Sequence, residues 1–153
     1  MWDGAQRSYS GVLILQTAIV FPAIALVLLT AIVWVRLYID RIGELRRKRI
    51  DPQSLATSAM AGQALQKVQA ADNFRNLFEV PVLFYALCAV LATAQQVSAF
   101  FIVGAWVYVA LRYVHSFIHI TYNRVMHRFA VYVLSTVVLF VLWAALAVQL
   151  VRG

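Results

Sequence analysis

Cysteine and acidic residues are scarce in this chain of 153 residues. The sequence holds a single cysteine, Cys88, and only 6 aspartate and glutamate residues against 13 lysine and arginine residues. A lone cysteine excludes a disulfide framework within the chain. Only one connection between apolar segments, residues 36–75, has substantial length. These absences exclude a disulfide-bonded domain and a separate soluble domain.

Four long apolar segments account for most of the chain. Hydrophobic residues make up 63% of the sequence, whereas a soluble domain has an apolar share of about 45–50%. The mean hydropathy is +0.80. A membrane-spanning helix needs about 20 mostly apolar residues to cross a hydrocarbon core of about 30 Å. The sequence therefore predicts an all-α integral membrane protein, a single domain over residues 1–153 with spans at about 12–36, 74–94, 99–121 and 129–151.

The basic residues are concentrated on one side of the predicted membrane protein. Ten of them lie in the connections after the first and third spans, and only Arg7 and Arg152 lie on the opposite side. Cytoplasmic connections carry such an excess of lysine and arginine, so both termini are predicted to face away from the cytoplasm. This asymmetry accounts for the net charge of +7 without a nucleic-acid partner. The compact connections favour a bacterial inner (plasma) membrane.

Short connections determine the predicted order of the helices. Residues 95–98 form a tight turn between the second and third spans, and residues 122–128 connect the third span to the fourth. Helices joined by short connections pack as antiparallel neighbours. The sequence therefore predicts a four-helix transmembrane bundle with up-down-up-down topology.

Two of the predicted spans carry ionisable residues at helical spacing. Arg75 and Glu79 are four residues apart, with Asn76 between them. A continuous helix would place the three on nearly one face, where the two charges can pair. A second stripe follows the third span at steps of three and four, and consists of Arg112, His115, His119 and Asn123.

Both stripes reach the same predicted membrane depth, where Arg128 and Tyr132 open the fourth span. An ionisable residue inside a span costs about 2.5–3.5 kcal/mol on insertion scales and usually faces the bundle interior or a wet cavity. The convergence predicts a polar pocket between helices. Because arginine binds carboxylates through two parallel hydrogen bonds, such a pocket suits a small anionic ligand. Its apolar flank would open toward lipid and admit a lipophilic small molecule.

The same residues also allow interpretations other than a ligand pocket. His115 and His119 could hold a metal ion with Glu79, but Arg75 and Arg112 would then place positive charge beside the ion. Two histidines on one helix do not suit a haem, and four spans lack the repeated, broken helices that are typical of transporters. We therefore predict no metal. A purely structural role in joining helices stays open, and it predicts that Arg112→Ala unfolds the protein.

These residues resemble those of the MAPEG family, the membrane proteins of eicosanoid and glutathione metabolism. The second span of that family opens with Arg-Asn-x-x-Glu before a proline, and residues 75–81 here read Arg-Asn-Leu-Phe-Glu-Val-Pro. The third span often carries Arg-x-x-His-x-x-x-Tyr, and an arginine and a tyrosine begin the fourth. The matching residues of this chain are Arg112, His115, His119 in the tyrosine position, Arg128 and Tyr132. The resemblance covers nearly the whole chain.

The resemblance implies a homotrimer that binds glutathione between neighbouring subunits at the cytoplasmic side. It implies that Arg128 holds the glutathione thiol as a thiolate, which then attacks a lipophilic electrophile or hydroperoxide. The chain would then be a glutathione-dependent transferase or peroxidase. The residues that the resemblance assigns to glutathione binding are Arg75, Asn76, Glu79, Arg112, His115, His119 and Tyr132.

Three positions depart from the pattern of catalytic members. Asp72 lies where several members have another arginine, and its carboxylate would repel a carboxylate of glutathione. Phe129 follows Arg128 where some members have a hydroxyl residue, and His119 replaces the usual tyrosine. These departures keep a second interpretation open, in which the protein binds lipid or another small ligand in the same pocket without catalysis.

Overall fold

The structure, a computed structural model, describes residues 16–152 apart from the side chain of residue 58. This part of the chain contains no strand, so the prediction of an all-α protein is confirmed. Residues 12–15 of the first predicted span lie outside the described residues. The helices are α1 (Val20–Lys48), a short 3-10 helix (Pro52–Leu55), α2 (Ser58–Ala64), α3 (Gln69–Asn76), α4 (Val80–Thr93), α5 (Ala99–Ile120) and α6 (Val125–Arg152).

Four helical stretches are long and apolar enough to cross a membrane, as the sequence predicts. They are Gln16–Lys48, Gln69–Thr93, Ala99–Ile120 and Val125–Arg152. Large apolar side chains are exposed along all four, and they include Phe21, Leu28, Ile32, Leu83, Val103, Phe117 and Phe140. In an integral membrane protein these side chains contact lipid. The up-down-up-down order and the predicted orientation in the membrane stay predictions.

The first long helix extends well beyond the predicted end of its span near residue 36. α1 continues to Lys48, and its last three turns are supported by two ion pairs at i,i+4 spacing. Arg36 Nε lies 2.8 Å from Asp40 Oδ2, and Lys48 Nζ lies 2.5 Å from Glu44 Oε1. The helix ends at Arg49, whose left-handed backbone (φ 52°) lets the N–H of the next residue, Ile50, donate to the Leu45 carbonyl at 3.1 Å.

The second predicted span is interrupted, because α3 ends at Asn76 and α4 begins only at Val80. In a continuous helix the ring of Pro81 would clash with the carbonyl four residues earlier, and proline has no N–H to donate. The break separates Arg75 from Glu79, and both side chains are exposed. No ion pair joins them in the described part of the chain. The prediction that these two residues share one helical face and pair is therefore wrong.

The core lies between the four long helices and is almost wholly apolar. Its fully buried side chains include Leu26, Val33, Phe84, Leu87, Leu91, Phe101, Leu139, Leu142 and Leu146. Gly104 lets α5 and α6 approach closely, because a Cβ atom at this position would lie 2.5 Å from Leu142 Cδ2. Small residues allow the same close approach in many membrane helix pairs.

A buried carboxylate fixes the start of α3 on the end of α1. Glu44 is 2% exposed, and its two oxygens accept the backbone N–H groups of Gln66 at 3.0 Å and Lys67 at 3.1 Å. Charged acceptors make stronger hydrogen bonds than neutral ones. The segment before α3 is thus held against α1 at the end of the molecule that carries most of the basic residues, which we call the basic end.

Candidate functional site

Arg112 lies inside α5 and is completely buried within the protomer. Its Nη2 atom donates to the Asn76 carbonyl at 3.2 Å, and its guanidinium carbon lies 5.6 Å from the ring centroid of Tyr132. A cation at this distance from an aromatic face is attracted to the ring. The Nε and Nη1 atoms have no hydrogen-bond partner, and no carboxylate pairs with Arg112 in the part of the chain that the structure describes. Two nitrogen atoms of this buried cation are therefore left without a hydrogen-bond partner.

His115 lies on the next turn of α5 and is also buried. Its Nδ1 atom lies 3.2 Å from the backbone carbonyl of Arg128. Because a carbonyl oxygen only accepts, this geometry assigns the proton to Nδ1, so Nε2 of the neutral ring is an acceptor. Nε2 has no partner, and the ring centroid lies 5.7 Å from that of Tyr132.

A further polar layer lies one turn closer to the basic end. His119 is 2% exposed, its ring lies 5.6 Å from that of His115, and its Nδ1 atom has no partner. Beside it, Ser116 Oγ donates to Asn73 Oδ1 at 3.2 Å, while Asn73 Nδ2 stays unpaired. Several buried polar atoms of α3 and α5 are therefore left without partners within one protomer, which is unusual for a purely structural core.

Arg128 opens α6 and is held beside this polar layer. Its Nη1 atom donates to Asn123 Oδ1 at 2.7 Å, and Asn123 itself has a left-handed backbone (φ 46°) at the turn between α5 and α6. A cleft of about 190 Å³ lies between these groups. We call it the Arg128 cleft, and its lining residues are Asn76, His115, Val125, Arg128, Phe129 and Tyr132. Arg112 lies beneath it, in contact with Asn76 and Tyr132.

The structure brings most of the predicted site residues together, but not all of them. Asn76, His115, Arg128 and Tyr132 line the cleft, and Arg112 contacts two of these residues. The other predicted residues lie elsewhere. His119 packs against His115 outside the cleft lining, Glu79 is exposed at the break between α3 and α4, and Arg75 lines a separate cavity with Arg41 and Asp72.

Sequence reasoning missed two buried polar residues of this region. Asn73 lies three residues before Asn76, and Tyr108 lies four residues before Arg112, so each shares a helical face with a predicted residue. Tyr108 is fully buried, its hydroxyl has no partner, and its ring stacks on Phe84 at 4.6 Å. Extending each stripe by one turn would have found both.

A metal site finds no support in the arrangement of the ligand types. Within residues 16–152, no group of three or more His, Cys, Asp or Glu side chains lies close enough together to hold an ion. The cations Arg112 and Arg128 flank His115 instead. The polar groups gathered here are guanidinium, imidazole and amide groups, which are of the kind that bind anions.

Four apolar helices around a cluster of buried polar and cationic side chains define an integral membrane protein with a candidate ligand site among its helices. The chain belongs to the MAPEG family, whose model matches residues 19–148. This confirms the resemblance seen in the sequence and associates the chain with glutathione and eicosanoid metabolism. No curated protein and no solved structure matches the chain.

Proposed function

We propose that this protein binds glutathione in the Arg128 cleft and uses it as a transferase or peroxidase acting on lipophilic electrophiles. The observation that carries the proposal is Arg112, which is buried, has no carboxylate partner among the described residues and retains two unpaired nitrogen atoms. A buried charge is strongly unfavourable unless an opposite charge and hydrogen bonds compensate it. Glutathione carries two carboxylates that can supply both.

In this proposal, different residues around the cleft bind different groups of glutathione. Arg112 and Asn76 provide a charged group and an amide beneath the cleft, and Tyr132 lies above the guanidinium. The acceptor Nε2 of His115 can receive an N–H of the tripeptide. His119 supports His115 from the next turn. These assignments follow the residues that the family pattern marks in the sequence.

Arg128 is the residue we assign to the thiol. A nearby positive charge favours the thiolate form of a thiol and so lowers its pKa. The thiolate sulfur would then attack the electrophilic carbon of the substrate. A carbon–sulfur bond would form as the bond from that carbon to the leaving group, or to the ring oxygen of an epoxide, breaks, and the departing atom would keep the electron pair and take up a proton. Val125 and Phe129 are exposed beside Arg128 and give the cleft an apolar edge for a lipophilic substrate.

We further propose that the working unit is a homotrimer with glutathione bound between subunits. Glu79 and Arg75 are exposed in a membrane-spanning stretch and have no ion-pair partner among the described residues. Leaving an ionised side chain in lipid costs about 2.5–3.5 kcal/mol on insertion scales. A neighbouring copy would cover Glu79 and place it beside the glutathione that is bound between the two subunits.

Two features in and beside the cleft favour a second candidate function, the binding of a lipid or another small ligand without catalysis. Phe129 lines the cleft directly after Arg128 and offers no hydroxyl group to a thiol. Asp72 carries negative charge in the neighbouring cavity beside Arg75. A site that binds glutathione poorly could still accept a lipid with an anionic group.

Conjugation of glutathione to a lipophilic electrophile tests the leading proposal. We expect the purified protein to catalyse it, and Arg128→Gln to lower kcat/KM by about 10–150-fold, the equivalent of losing a charge-assisted interaction of about 1.5–3 kcal/mol. Arg124→Gln removes the same charge from an exposed side chain of the same turn and is expected to leave the rate unchanged.

The outcomes separate the two candidates. Glutathione binding without any conjugation or peroxide reduction would favour the non-catalytic function. A protein that neither binds nor uses glutathione would contradict the leading proposal. Equal losses of kcat/KM in Arg128→Gln and Arg124→Gln would contradict the specific role assigned to Arg128.

A further inference from the structure

The last turns of α1 carry more positive charge than the protein itself compensates. Asp40 pairs with Arg36 and lies 3.6 Å from Lys67 Nζ, and Glu44 pairs with Lys48. The acidic groups of this segment are therefore already used. The cations of residues 36–49 that have no ion-pair partner in the described chain are Arg41, Arg46, Arg47 and Arg49.

The position of these arginines along the helix corresponds to the surface of a membrane. Trp34 and Tyr38 are exposed and contact each other with ring centroids 4.8 Å apart. Tryptophan and tyrosine are enriched at the boundary between lipid tails and headgroups. At 1.5 Å per residue, residues 41–48 lie about 4–15 Å further along the axis. Ile39 and Ile42 are exposed among these arginines, so apolar and cationic contacts alternate here.

Arg41 also lines a small, partly enclosed cavity at this level. The cavity has a volume of about 80 Å³, and Lys67 and Arg75 contribute to its lining beside the single acidic residue Asp72. Its far wall is fixed, because the backbone N–H groups of Gln66 and Lys67 bind the buried Glu44. Space of this size, with three cations and one anion around it, suits a phosphate group.

From these observations we infer that the basic end of the protein is a binding surface for anionic phospholipid headgroups, with a lipid phosphate at Arg41. The exposed arginines Arg46 and Arg47 attract neighbouring headgroups, and Ile39 and Ile42 contact the upper parts of the acyl chains. Basic residues next to a membrane span bind anionic lipid through the surface potential of the leaflet. This inference does not depend on glutathione binding.

Thermal unfolding in lipid nanodiscs tests the inference. The protein is reconstituted in nanodiscs of phosphatidylcholine alone and in nanodiscs that also contain phosphatidylglycerol. We expect a higher Tm for the natural protein when phosphatidylglycerol is present, and we expect this shift to decrease at high salt, which screens charges. The shift should be reduced in Arg41→Gln and in the double variant Arg46→Gln with Arg47→Gln. Arg46 and Arg47 are exposed, and Arg41 is partly exposed.

The matched control is Arg152→Gln, which removes one positive charge from the last turn of α6. It is expected to retain the full shift. Three outcomes would each overturn the inference. The basic-end variants could show the same Tm shift as the natural protein, Arg152→Gln could lose as much of the shift as they do, or the natural protein could show no shift. If inorganic phosphate alone raises the Tm in phosphatidylcholine as much as phosphatidylglycerol does, a free anion rather than a lipid occupies the site and the inference is also wrong.

Discussion

Arg112 and Arg128 are both cations of the candidate site, but their surroundings differ in a way that decides their roles. Arg128 is partly exposed, and Asn123 accepts a hydrogen bond from it. Arg112 is fully buried with Nε and Nη1 unpaired. Replacing a buried ion pair by apolar residues of similar volume is often neutral or stabilising, whereas removing one partner strands the other charge. Arg112 has no carboxylate partner among the described residues, so its removal strands no charge. Arg112 is therefore better explained by ligand binding than by stability.

This explanation leads to a prediction for Arg112→Met. The variant is expected to keep or raise the Tm of the ligand-free protein, because methionine fills the space without a buried charge. It should weaken glutathione binding by about 10–150-fold, since a hydrogen bond to a charged group contributes about 1.5–3 kcal/mol. Calorimetric titration measures the binding and thermal unfolding measures the stability. A variant that unfolds would favour the purely structural role of the stripe.

The sequence correctly identified those site residues whose position on one face of a helix follows from helical spacing alone. Arg112, His115 and His119 recur at steps of three and four, and α5 is a continuous helix, so all three are buried on one side. The same reasoning fails for Arg75 and Glu79, because the helix is interrupted between these two residues, just before Pro81. The contact between Arg112 and the Asn76 carbonyl depends on packing between distant segments, which spacing within one helix does not show.

At the level of whole helices, the packing of α5 against α6 depends on one glycine. A Cβ atom at position 104 would lie 2.5 Å from Leu142 Cδ2 and 3.2 Å from Cδ1. Both atoms are at the flexible end of the leucine side chain, so a single methyl group can be accommodated by a small shift. A larger side chain would have to displace Leu142 from the core.

We predict that Gly104→Val destabilises the protein by about 1–3 kcal/mol, the usual cost of overpacking a core. Adding Leu142→Ala should recover part of this loss, because the smaller side chain leaves room for the valine. Denaturant unfolding in mixed micelles measures the double-mutant cycle. Ala110→Val, at an exposed position of the same helix, is the control and is expected to change little. Additive effects of the two core substitutions would show that Gly104 and Leu142 do not interact.

The sequence predicts the lengths of the apolar parts of the helices but not how far the helices extend beyond them. Hydrophobicity predicts the four spanning stretches, because the membrane imposes a length on each apolar run. It does not predict that α1 continues to Lys48, which follows from the pairs Arg36–Asp40 and Glu44–Lys48. Nor does it predict the hydrogen bonds from residues 66 and 67 to Glu44, since that contact joins a polar connection to a helix more than 20 residues away.

For the molecule as a whole, the structure separates two cationic regions at the basic end. The Arg128 cleft lies between α3, α5 and α6, whereas the cavity beside Arg41 lies between α1, α2 and α3. α3 lies between them, with Asn76 lining the first and Arg75 lining the second. In the two proposals, the small anionic ligand and the anionic lipid therefore occupy different sites on either side of one short helix.

Thermal unfolding of the purified protein with and without millimolar glutathione shows whether the folded protein binds glutathione and whether Arg112 contributes to the binding. A ligand at about 100 times its dissociation constant stabilises a protein by about 2.7 kcal/mol when it binds only the folded state. We expect a clear upward shift of the Tm in the natural protein and in Arg124→Gln, and a much smaller shift in Arg112→Met. No shift in the natural protein at saturating glutathione would contradict the account and leave lipid binding as the function of the site.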